Sequence, residues 1–341
     1  MSTTDNPTLP GTERIPLVTI GLPVFNGAQD LEAAVRSLLN QTERDFVLLI
    51  SDNGSTDATP ELCARLAEED ARIRYVRHET NMGSSRNWEY VLREARSPFF
   101  MWAAHDDLRA PNYLAVALEL LRGSPDAIGC MTALHLVDAK TGQHLRNSYP
   151  PPGLASCGAF TRARAVFHDG HFAIFGLFRL ASVPPTLRFH DVVSSDLVAA
   201  FYWALHGRFV VVRQPLLTFR YVPFEERQKG EEGYLYMLGD RQSPAHSIMW
   251  RDTRESPLSP PTKALIGAYL LAVNIHDWRR VQLRATRQRV REAAGQRRYL
   301  EAMALSAKYV ALRPTCVAGA LKRRIGRLAE NRSGWHHAPP G

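Results

Sequence analysis

The sequence predicts an α/β fold with a mostly parallel central sheet flanked by helices. Near-continuous apolar runs of strand length alternate with amphipathic helical segments, and several runs end in a cluster of polar and glycine residues. Continuous apolar runs are typical of strands that are buried on both faces, as in a parallel sheet covered by helices. With 341 residues, the chain is long enough for one large domain or two ordinary ones.

The first part of the chain carries this alternation without a break. In the helical segments leucine and valine recur every three or four residues, and the last predicted helix has Pro111 in its first turn and Gly123 at its end. The predicted elements are, in order, a strand at 17–26, a helix at 30–41, a strand at 45–57, a helix at 59–69, a strand at 72–78, a helix at 83–95, a strand at 97–107, a helix at 110–123 and a strand at 127–138.

The second part of the chain is less regular. Residues 135–149 are typical of a β-hairpin built on the Thr-Gly turn at 141–142. Residues 207–221 indicate a pair of strands that turn at the Gln-Pro sequence at 214–215. From about Pro261 onward the pattern is helical, so the chain is expected to end in a helical extension.

Basic charge is concentrated near the C-terminus. The whole chain has 42 Lys and Arg against 34 Asp and Glu, and residues 278–332 alone hold 15 of the basic and three of the acidic residues. An electrostatic partner is therefore expected to meet this segment. One interpretation is attachment to an anionic membrane surface, and the other is a solvated pair of basic helices that packs on the body or joins two copies. No aromatic-rich nucleic-acid module accompanies the charge, so no nucleic-acid partner is expected.

Other classes of protein are excluded by what the sequence lacks. The N-terminal residues have no apolar core of a signal peptide, and apolar runs such as 264–273 are shorter than a membrane span. Neither a GxGxxG turn nor a P-loop follows the first strand. Cys63, Cys130, Cys157 and Cys316 form no metal-binding pair and are expected to be reduced thiols. We expect a cytoplasmic protein, with the inner face of the plasma membrane as an alternative location if the basic segment binds lipid.

Polar clusters follow three predicted strands, at 23–27, 51–57 and 105–107. Ligands of such sheets bind beyond the carboxyl ends of the strands, so the clusters are expected to form one site. Asp52 is an acceptor that suits a ring N–H of a nucleotide base. The alternative is that Asp52 caps the following helix, and the same two roles are open for Asp57.

The His-Asp-Asp cluster at 105–107 suits a hard divalent cation. Carboxylate oxygens of Asp106 and Asp107 would bind Mg²⁺ or Mn²⁺, and diphosphate oxygens would complete an octahedral shell. Such an ion neutralises the charge that builds on a departing diphosphate. Alternatively the two acids cap the next helix or are solvated. His105 is either a further metal ligand or a side chain that fixes the turn.

Five motifs occur in the order and spacing of a known family. They read VTIGLPVFNG, QDLEAAVRSLLNQT, VLLISDNGSTDAT, NMGSSRNWEYVL and FFMWAAHDD, and the region over about 16–221 resembles the inverting family 2 glycosyltransferases. The resemblance implies the A-type glycosyltransferase fold, that of the nucleotide-diphosphosugar transferases. The nucleotide-binding residues that it implies are Pro23, Phe25, Asn26, Asp52, Asn53, Gly83, Arg86 and Asp106, with Asn81 in the loop beside the nucleotide.

The chain departs from the common family pattern in two places. Ala104 replaces the first acid of the Asp-x-Asp motif, which is similar to a branch with a His-Asp-Asp motif. Metal binding by Mg²⁺ or Mn²⁺ is then implied for Asp106, with Asp107 as a second ligand. A Ser-Asp pair ending at Asp196 replaces the usual Glu-Asp pair. The resemblance implies that Asp196 is the general base; Asp191 is a rival, and a helix cap is the alternative role of Asp196.

The resemblance also implies an acceptor side. Gly176 and Arg179 are expected to shape the acceptor pocket, and Arg220 is a candidate for contact with the diphosphate. The tryptophans that either stack on sugars or belong to the core are Trp88, Trp102 and Trp203.

The expected function is inverting transfer of a sugar from a nucleotide-diphosphate sugar to a hydroxyl group. A UDP- or dTDP-sugar is favoured, and the acceptor is a saccharide, a lipid-linked or a small molecule, as in polysaccharide biosynthesis. Alternatives are a non-catalytic saccharide- or nucleotide-binding protein and a nucleotidyltransferase. The expected segments are a flexible N-terminus at 1–14, a nucleotide-binding half at 15–138 and an acceptor half at 139–225 of one catalytic domain, a mostly helical region at 226–333 and a flexible tail at 334–341.

Overall fold

The computed structural model describes residues 14–167, 170–183, 187, 189, 195–221 and 244–271. The strands are β1 Val18–Val24, β2 Phe46–Asp52, β3 Ile73–Arg77, β4 Phe99–Trp102, β5 Leu108–Arg109, β6 Ala127–Asp138, β7 His144–Ser148, β8 Leu177–Arg179 and β9 Arg208–Tyr221. The α-helices are α1 Ala28–Leu39, α2 Thr59–Glu69, α3 Ser84–Arg93, α4 Tyr113–Arg122, α5 Ala159–Val166, α6 Ser195–His206 and α7 Pro244–Glu255. Short 3₁₀ helices lie at Pro152–Ala155, Gly170–Phe175 and Leu180–Ser182, and residues 260–271 are helical.

The described strands form one sheet in the order β3-β2-β1-β4-β8-β6-β9-β5, with β7 paired to β6. In its first half, β1 lies between β2 and β4 and is parallel to both, and β3 is parallel to β2. All seven residues of β1 are buried, because helices cover both faces of this part of the sheet. The predicted α/β fold is confirmed here element by element.

The second half of the sheet is mixed rather than parallel. Strand β8 runs antiparallel to β4 and β6, β7 to β6 and β5 to β9, whereas β6 and β9 are parallel. The antiparallel strands are short, with two, three and five residues for β5, β8 and β7. Runs this short give almost no periodic signal, so the sequence analysis overestimated the parallel part of the sheet.

Two predictions for the second half have opposite outcomes. The hairpin at 141–142 is confirmed, and Gly142 adopts φ 69° in its turn. The predicted turn at 214–215 is wrong, because β9 continues along β6 as one strand. Between Thr132 and Ala133 of β6 the register skips two residues of β9, so that Thr132 pairs with Val212 and Ala133 pairs with Pro215. Proline has no N–H to donate and is tolerated at such an irregularity, which lets the strand pass through it.

Large aromatic side chains form much of the core on one side of the sheet. Trp102 and Trp203 are both fully buried, with ring centroids 5.2 Å apart, and Phe178 stacks on Trp203 at 4.0 Å. These two tryptophans are therefore core residues and have no surface left for a sugar. Trp88 is partly buried and packs against Phe175, with centroids 6.0 Å apart.

The last described residues pack on the body of the protein. Met249 of α7 and Ile266, Tyr269 and Leu270 of the helical segment 260–271 join the core cluster that contains α5 and α6. No helix among the described residues is long and apolar enough to cross a membrane. The basic segment at 278–332, the candidate base Asp191 and, of the expected flexible ends, residues 1–13 and 334–341 lie outside the described residues.

Candidate active site

Three polar loops meet at the carboxyl edge of the parallel strands. The register pairs Val24 of β1 with Asp52 of β2, and Gly21 of β1 with Trp102 of β4. The loops that follow these strands therefore start side by side, as expected from the sequence. They contain most of the predicted nucleotide-binding residues and the His-Asp-Asp cluster.

Hydrogen bonds tie the loop after β1 to the loop after β2. Asn26 adopts φ 50°, and its amide N–H donates to Ser55 Oγ at 2.9 Å. In return the Thr56 N–H donates to Asn26 Oδ1 at 2.9 Å. Pro23 is buried in β1, and Phe25 lies beside this junction with 43 % of its surface exposed. An exposed ring on a fixed loop offers a stacking surface for a planar ligand.

Asp57 supports the starts of two helices. Its carboxylate accepts the N–H of Thr59, the first residue of α2, at 3.0 Å and the N–H of Ala28, the first residue of α1, at 3.2 Å. Burial acts to raise the pKa of Asp57, but hydrogen bonds from the Thr59 side chain and from the backbone N–H groups of Thr59 and Ala28 hold it below its usual value. Of the two roles left open for Asp57, base binding and helix capping, the structure supports helix capping.

Asp52 is fully buried at the end of β2, and both of its oxygens are engaged. Oδ1 accepts the Ser55 N–H at 2.9 Å, and Oδ2 accepts the hydroxyl of Tyr75 at 3.1 Å. Nε of Arg77 lies 3.6 Å from Oδ2, and Arg77 also donates to the carbonyl of Ser55 at 3.1 Å. Burial is the main cause that raises the pKa of Tyr75, so its hydroxyl remains a donor.

Tyr75 and Arg77 were not among the predicted site residues, although both belong to the predicted strand at 72–78. The structure brings them to the site because β3 runs parallel to β2 and the register pairs Arg77 with Asp52. Half of the Arg77 side chain is exposed, at 53 %, whereas the Asp52 side chain beneath it has no exposed surface. Arg77 therefore lies between solvent and the acid that is predicted to hold the base.

The loop before α3 is fixed by a pair of amide side chains. Asn53 Nδ2 donates to Asn81 Oδ1 at 2.8 Å, and Asn53 Oδ1 accepts the N–H of Met82 at 2.9 Å. Asn81 Oδ1 also accepts the N–H of Gly83 at 2.8 Å. Gly83 has φ 92°, and a Cβ added there would meet nothing within 4 Å. Arg86 is exposed in the first turn of α3 that follows.

A second set of residues, absent from the sequence analysis, supports these loops from below. Ser51 Oγ donates to Asn87 Oδ1 at 2.6 Å and lies 2.9 Å from His78 Nε2. Asn87 Nδ2 returns a bond to the Ser51 carbonyl at 2.9 Å. The network links the ends of β2 and β3 to α3, so it fixes the distance between Asp52 and the Gly83 loop.

The two acids of the His-Asp-Asp cluster have different environments. Asp106 is partly exposed, whereas Asp107 is 3 % exposed and its Oδ1 accepts the backbone N–H of Arg220 at 3.2 Å. Burial raises the pKa of Asp107 to about 7, against the opposing effect of the buried Arg109 guanidinium. Asp107 Oδ2 and two nitrogens of Arg109 have no hydrogen-bond partner in the described structure. The structure thus places Asp107 inside the protein, whereas Asp106 is partly exposed.

His105 packs against the start of α1. A Cβ on Gly27 would lie 2.6 Å from Cδ2 of His105, so only glycine leaves room for the imidazole. From the sequence, His105 was either a metal ligand or a side chain that fixes the turn. In the structure it packs against Gly27. Ala104, at the position of the missing first acid, supplies no ligand.

The donor set fits a cation that is bound largely by its substrate. No group of three or more His, Cys, Asp or Glu among the described residues is arranged to hold a metal ion. Mg²⁺ and Mn²⁺ commonly use one or two protein carboxylates and take their other ligands from substrate phosphates and water. Asp106 satisfies this requirement, and the buried Asp107 does not add to it.

Arg220 is engaged by protein groups near the same turn. Its guanidinium pairs with Asp30 in the first turn of α1 and donates to the carbonyl of Ala139 at 2.7 Å. Its backbone N–H is the donor to Asp107. Arg220 therefore connects α1, the turn after β6 and the acid cluster.

The predicted acceptor residues lie on the second half of the sheet. Asp196 is in the first turn of α6, partly exposed, and its Oδ1 accepts the N–H of Leu197 at 2.8 Å. A Cβ on Gly176 would lie 2.6 Å from the Cys130 carbonyl, so this glycine allows a close approach to β6. Arg179 donates to the carbonyls of Ala127 and Leu121 at 3.1 and 2.5 Å, which occupies its guanidinium at the end of α4.

The first part of the chain is similar to known proteins. The family model described as glycosyl transferase family 2 matches residues 19–179. An uncharacterized glycosyltransferase of Rickettsia bellii is 33 % identical over 106 residues, which are 31 % of this chain and 15 % of that protein. The uncharacterized glycosyltransferase EpsJ of Bacillus subtilis is 28 % identical over 149 residues, 43 % of this chain and 41 % of EpsJ. The chain thus spans less than half the length of these curated relatives.

Solved structures share the fold over a longer stretch. S. aureus TarS 1–349 in complex with UDP-GlcNAc has a TM-score of 0.58 and 13 % identity, covering 94 % of this chain and 93 % of TarS 1–349. The mannosyltransferase PcManGT from Pyrobaculum calidifontis, in complex with GDP-Man and Mn²⁺, has a TM-score of 0.52 and 18 % identity over 93 % of this chain and 81 % of that one. Residues 19–179 are therefore similar to glycosyl transferase family 2, and the chain has the A-type glycosyltransferase fold.

Proposed function

We propose that this protein is an inverting glycosyltransferase that moves a sugar from a nucleotide-diphosphate sugar to an acceptor hydroxyl. The observation that carries the proposal is the meeting of three polar loops at one sheet edge within the region similar to glycosyl transferase family 2. The exposed Phe25, the Gly83 loop and Asp106 surround this edge, as a nucleotide diphosphate requires. The proposed acceptor is a saccharide, a lipid-linked or a small molecule, in keeping with polysaccharide biosynthesis.

The base is proposed to bind between Phe25 and Asp52, with Pro23, Asn26 and Asn53 shaping the loops around it. A carboxylate has about four lone-pair sites, and hydrogen bonds from Ser55 and Tyr75 use two of those of Asp52. A ring N–H of uracil or thymine would take a further site after displacing Arg77, which lies 3.6 Å away. We favour a UDP- or dTDP-sugar; TarS was solved with UDP-GlcNAc and PcManGT with GDP-Man, so a guanine donor is included in the test.

The diphosphate is proposed to lie between the Gly83 loop and the acid turn. Arg86 carries no ion pair among the described contacts and is available to a phosphate. A divalent ion, when bound, would neutralise charge on the leaving diphosphate, and Asp106 is the residue that would hold it. Asp107, predicted as a second ligand, is proposed instead to position Asp106, because its own oxygen is bonded to the Arg220 backbone.

Asp196 is proposed as the general base. Inverting transfer needs one group that accepts the proton of the acceptor hydroxyl while its oxygen attacks the anomeric carbon from the face opposite the diphosphate. Asp196 is partly exposed at the start of α6, and its hydrogen bond to the next amide leaves one oxygen for the acceptor. Gly176 is kept as an acceptor-side residue and Arg179 as a weaker candidate, since its guanidinium binds two carbonyls.

The first test measures donor binding by thermal shift with UDP, dTDP, GDP and CDP, each with Mn²⁺, Mg²⁺ or EDTA. A ligand that binds the folded state raises the melting temperature by mass action. We expect a shift for one diphosphate that is lost in EDTA and in Asp106→Asn. Asp126→Asn is the matched control, since Asp126 lies between α4 and β6 and pairs with Arg208 on the surface. No shift with any diphosphate would contradict the donor site.

The second test separates catalysis from binding. Asp196→Asn is expected to keep the donor-induced thermal shift and to lose sugar transfer, followed as nucleotide diphosphate release from the matching sugar donor. If wild type binds donor but releases no product with any acceptor class, the alternative of a non-catalytic binding protein is favoured. The replacement of the first acid of the Asp-x-Asp motif by Ala104 is consistent with that alternative.

The basic segment at 278–332 is proposed to contact an anionic membrane surface from the cytoplasmic side.

A further inference from the structure

The last two described helices expose an apolar surface. Trp250 of α7 has 41 % of its surface exposed and Leu271 has 60 %. A Cβ on Gly267 would lie 2.3 Å from a ring atom of Trp250, so the indole rests directly on the backbone of the second helix. We call the surface formed by Trp250, Ala264, Gly267, Ala268 and Leu271 the Trp250 face.

The members of this face lie together because of helical spacing. Positions 264, 267, 268 and 271 are separated by three or four residues and lie on one side of the helix. Ala264 and Ala268 are exposed as well. The opposite side of the same helix is anchored in the core through Ile266 and Leu270. The Trp250 face is therefore held rigidly on the outside of the molecule.

Positive charge borders the Trp250 face. Arg254 of α7 is exposed, and Arg251 is exposed and pairs with Asp252 at 3.7 Å. Lys263 ties the two helices by donating to the Arg254 carbonyl at 2.8 Å. Of the acids in this part, Asp252 is buried and Glu255 alone is exposed. The sequence that follows adds a strong excess of basic residues at 278–332. An apolar face bordered by cations is complementary to an anionic lipid bilayer, which has an apolar interior beneath a layer of anionic headgroups.

We propose that the Trp250 face docks on an anionic lipid bilayer, with Trp250 and Leu271 inserted at the headgroup boundary. Tryptophan favours this boundary because its ring is apolar and its N–H is polar. Cations beside an inserted apolar face are attracted by anionic lipids and strengthen the binding. The proposal does not depend on sugar transfer, and it concerns described residues rather than the basic segment at 278–332.

The test is co-sedimentation of the full-length protein with vesicles. One set is phosphatidylcholine alone, and the other is equal parts of phosphatidylcholine and phosphatidylglycerol. Binding is measured at low salt and at about 1 M NaCl, where the Debye length falls to about 3 Å and attraction between charges is largely screened. Wild type is expected to bind the anionic vesicles at both salt concentrations, more weakly at the higher one.

The decisive variants are Leu271→Ser and the double variant Trp250→Ser/Leu271→Ser. At high salt the double variant is expected to lower the partition coefficient about tenfold, since most of the inserted apolar surface is lost. Leu145→Ser is the matched control, because Leu145 on β7 is 46 % exposed but lies on a different element. Leu271 is the more exposed of the pair, so its single variant tests the proposal even if the change at Trp250 disturbs the packing on Gly267.

Three outcomes would overturn the proposal. Equal binding of wild type and double variant at high salt would assign any membrane contact to charge alone. No binding of wild type to either vesicle would remove the membrane as the occupant. A change of the double variant in oligomeric state, measured by light scattering, with unchanged vesicle binding would assign the Trp250 face to a second copy.

Discussion

Arg162 is predicted to stabilise the packing of α5 against α6, and Arg162→Met is the change that tests it. Arg162 belongs to α5, and its side chain is buried, with 5 % of the residue exposed. Its guanidinium donates to the carbonyls of Ala204 at 2.7 Å, Ser156 at 2.9 Å and Cys157 at 2.7 Å. It thereby joins the end of α6 to the loop before α5.

The magnitude follows from two opposing contributions. Burial lowers the pKa of Arg162 to about 10, and at about 1.4 kcal/mol per pKa unit this corresponds to about 3 kcal/mol against the folded protein. Three hydrogen bonds from a charged donor contribute roughly 1.5–3 kcal/mol each. The bonds therefore exceed the penalty, and methionine would remove them while leaving three carbonyls without a donor. We expect the free energy of unfolding to fall by about 3 kcal/mol.

The assay is urea unfolding followed by tryptophan fluorescence and circular dichroism. Arg162→Lys retains charge but cannot reach three carbonyls with a fork of donors, so it is expected to lose much of the same stability. Arg122→Met, at an exposed site in α4, is the control for loss of a surface arginine and is expected to change stability by less than about 0.5 kcal/mol. A loss below about 1 kcal/mol for Arg162→Met would refute the reasoning, because the carbonyls would then have other partners.

Three further predictions concern single residues. Burial raises the pKa of Asp252 to about 6, so the folded protein binds the proton more tightly than the unfolded chain does. The protein therefore loses stability as the pH rises from about 4 through 6. Asp252→Asn should raise the melting temperature at pH 7 and change it little at pH 4. Gly83→Ala and Gly142→Ala should each lose about 1–3 kcal/mol of stability from positive φ, but only Gly83→Ala should weaken nucleotide binding in titration calorimetry. Tyr75→Phe should lose about 1 kcal/mol by removing a donor to Asp52, and Tyr90→Phe, whose ring packs on His78, is its control in urea unfolding.

The regular first half of the fold was predictable because burial there is two-sided. Strand β2 needs apolar residues at nearly every position, and it was found at Phe46–Asp52 within the predicted 45–57. The hairpin at 141–142 was predictable for a different reason, since glycine adopts φ 69° there without strain. In both cases the signal is local to a few residues.

The second half depends on partners that are distant in sequence. Strand β8 has three residues and is defined by its neighbours β4 and β6 rather than by its own composition. The long strand β9 passes through Pro215 because β6 accommodates the irregular register. A local reading of Gln-Pro as a turn could not detect that second strand.

At the site, the residue types could be read from the sequence, but the burial of their side chains could not. Asp106 and Asp107 are equivalent in the sequence, and both were predicted as metal ligands. Asp106 lies in the turn before β5 and is partly exposed, whereas Asp107 is 3 % exposed. The buried carboxylate accepts the backbone N–H of Arg220, which belongs to a strand more than a hundred residues away in the sequence. If Asp106 alone holds the cation, as proposed, Asp107→Asn should leave the number of Mn²⁺ ions bound with nucleotide unchanged, as measured by electron paramagnetic resonance. Asp106→Asn should then abolish the bound signal.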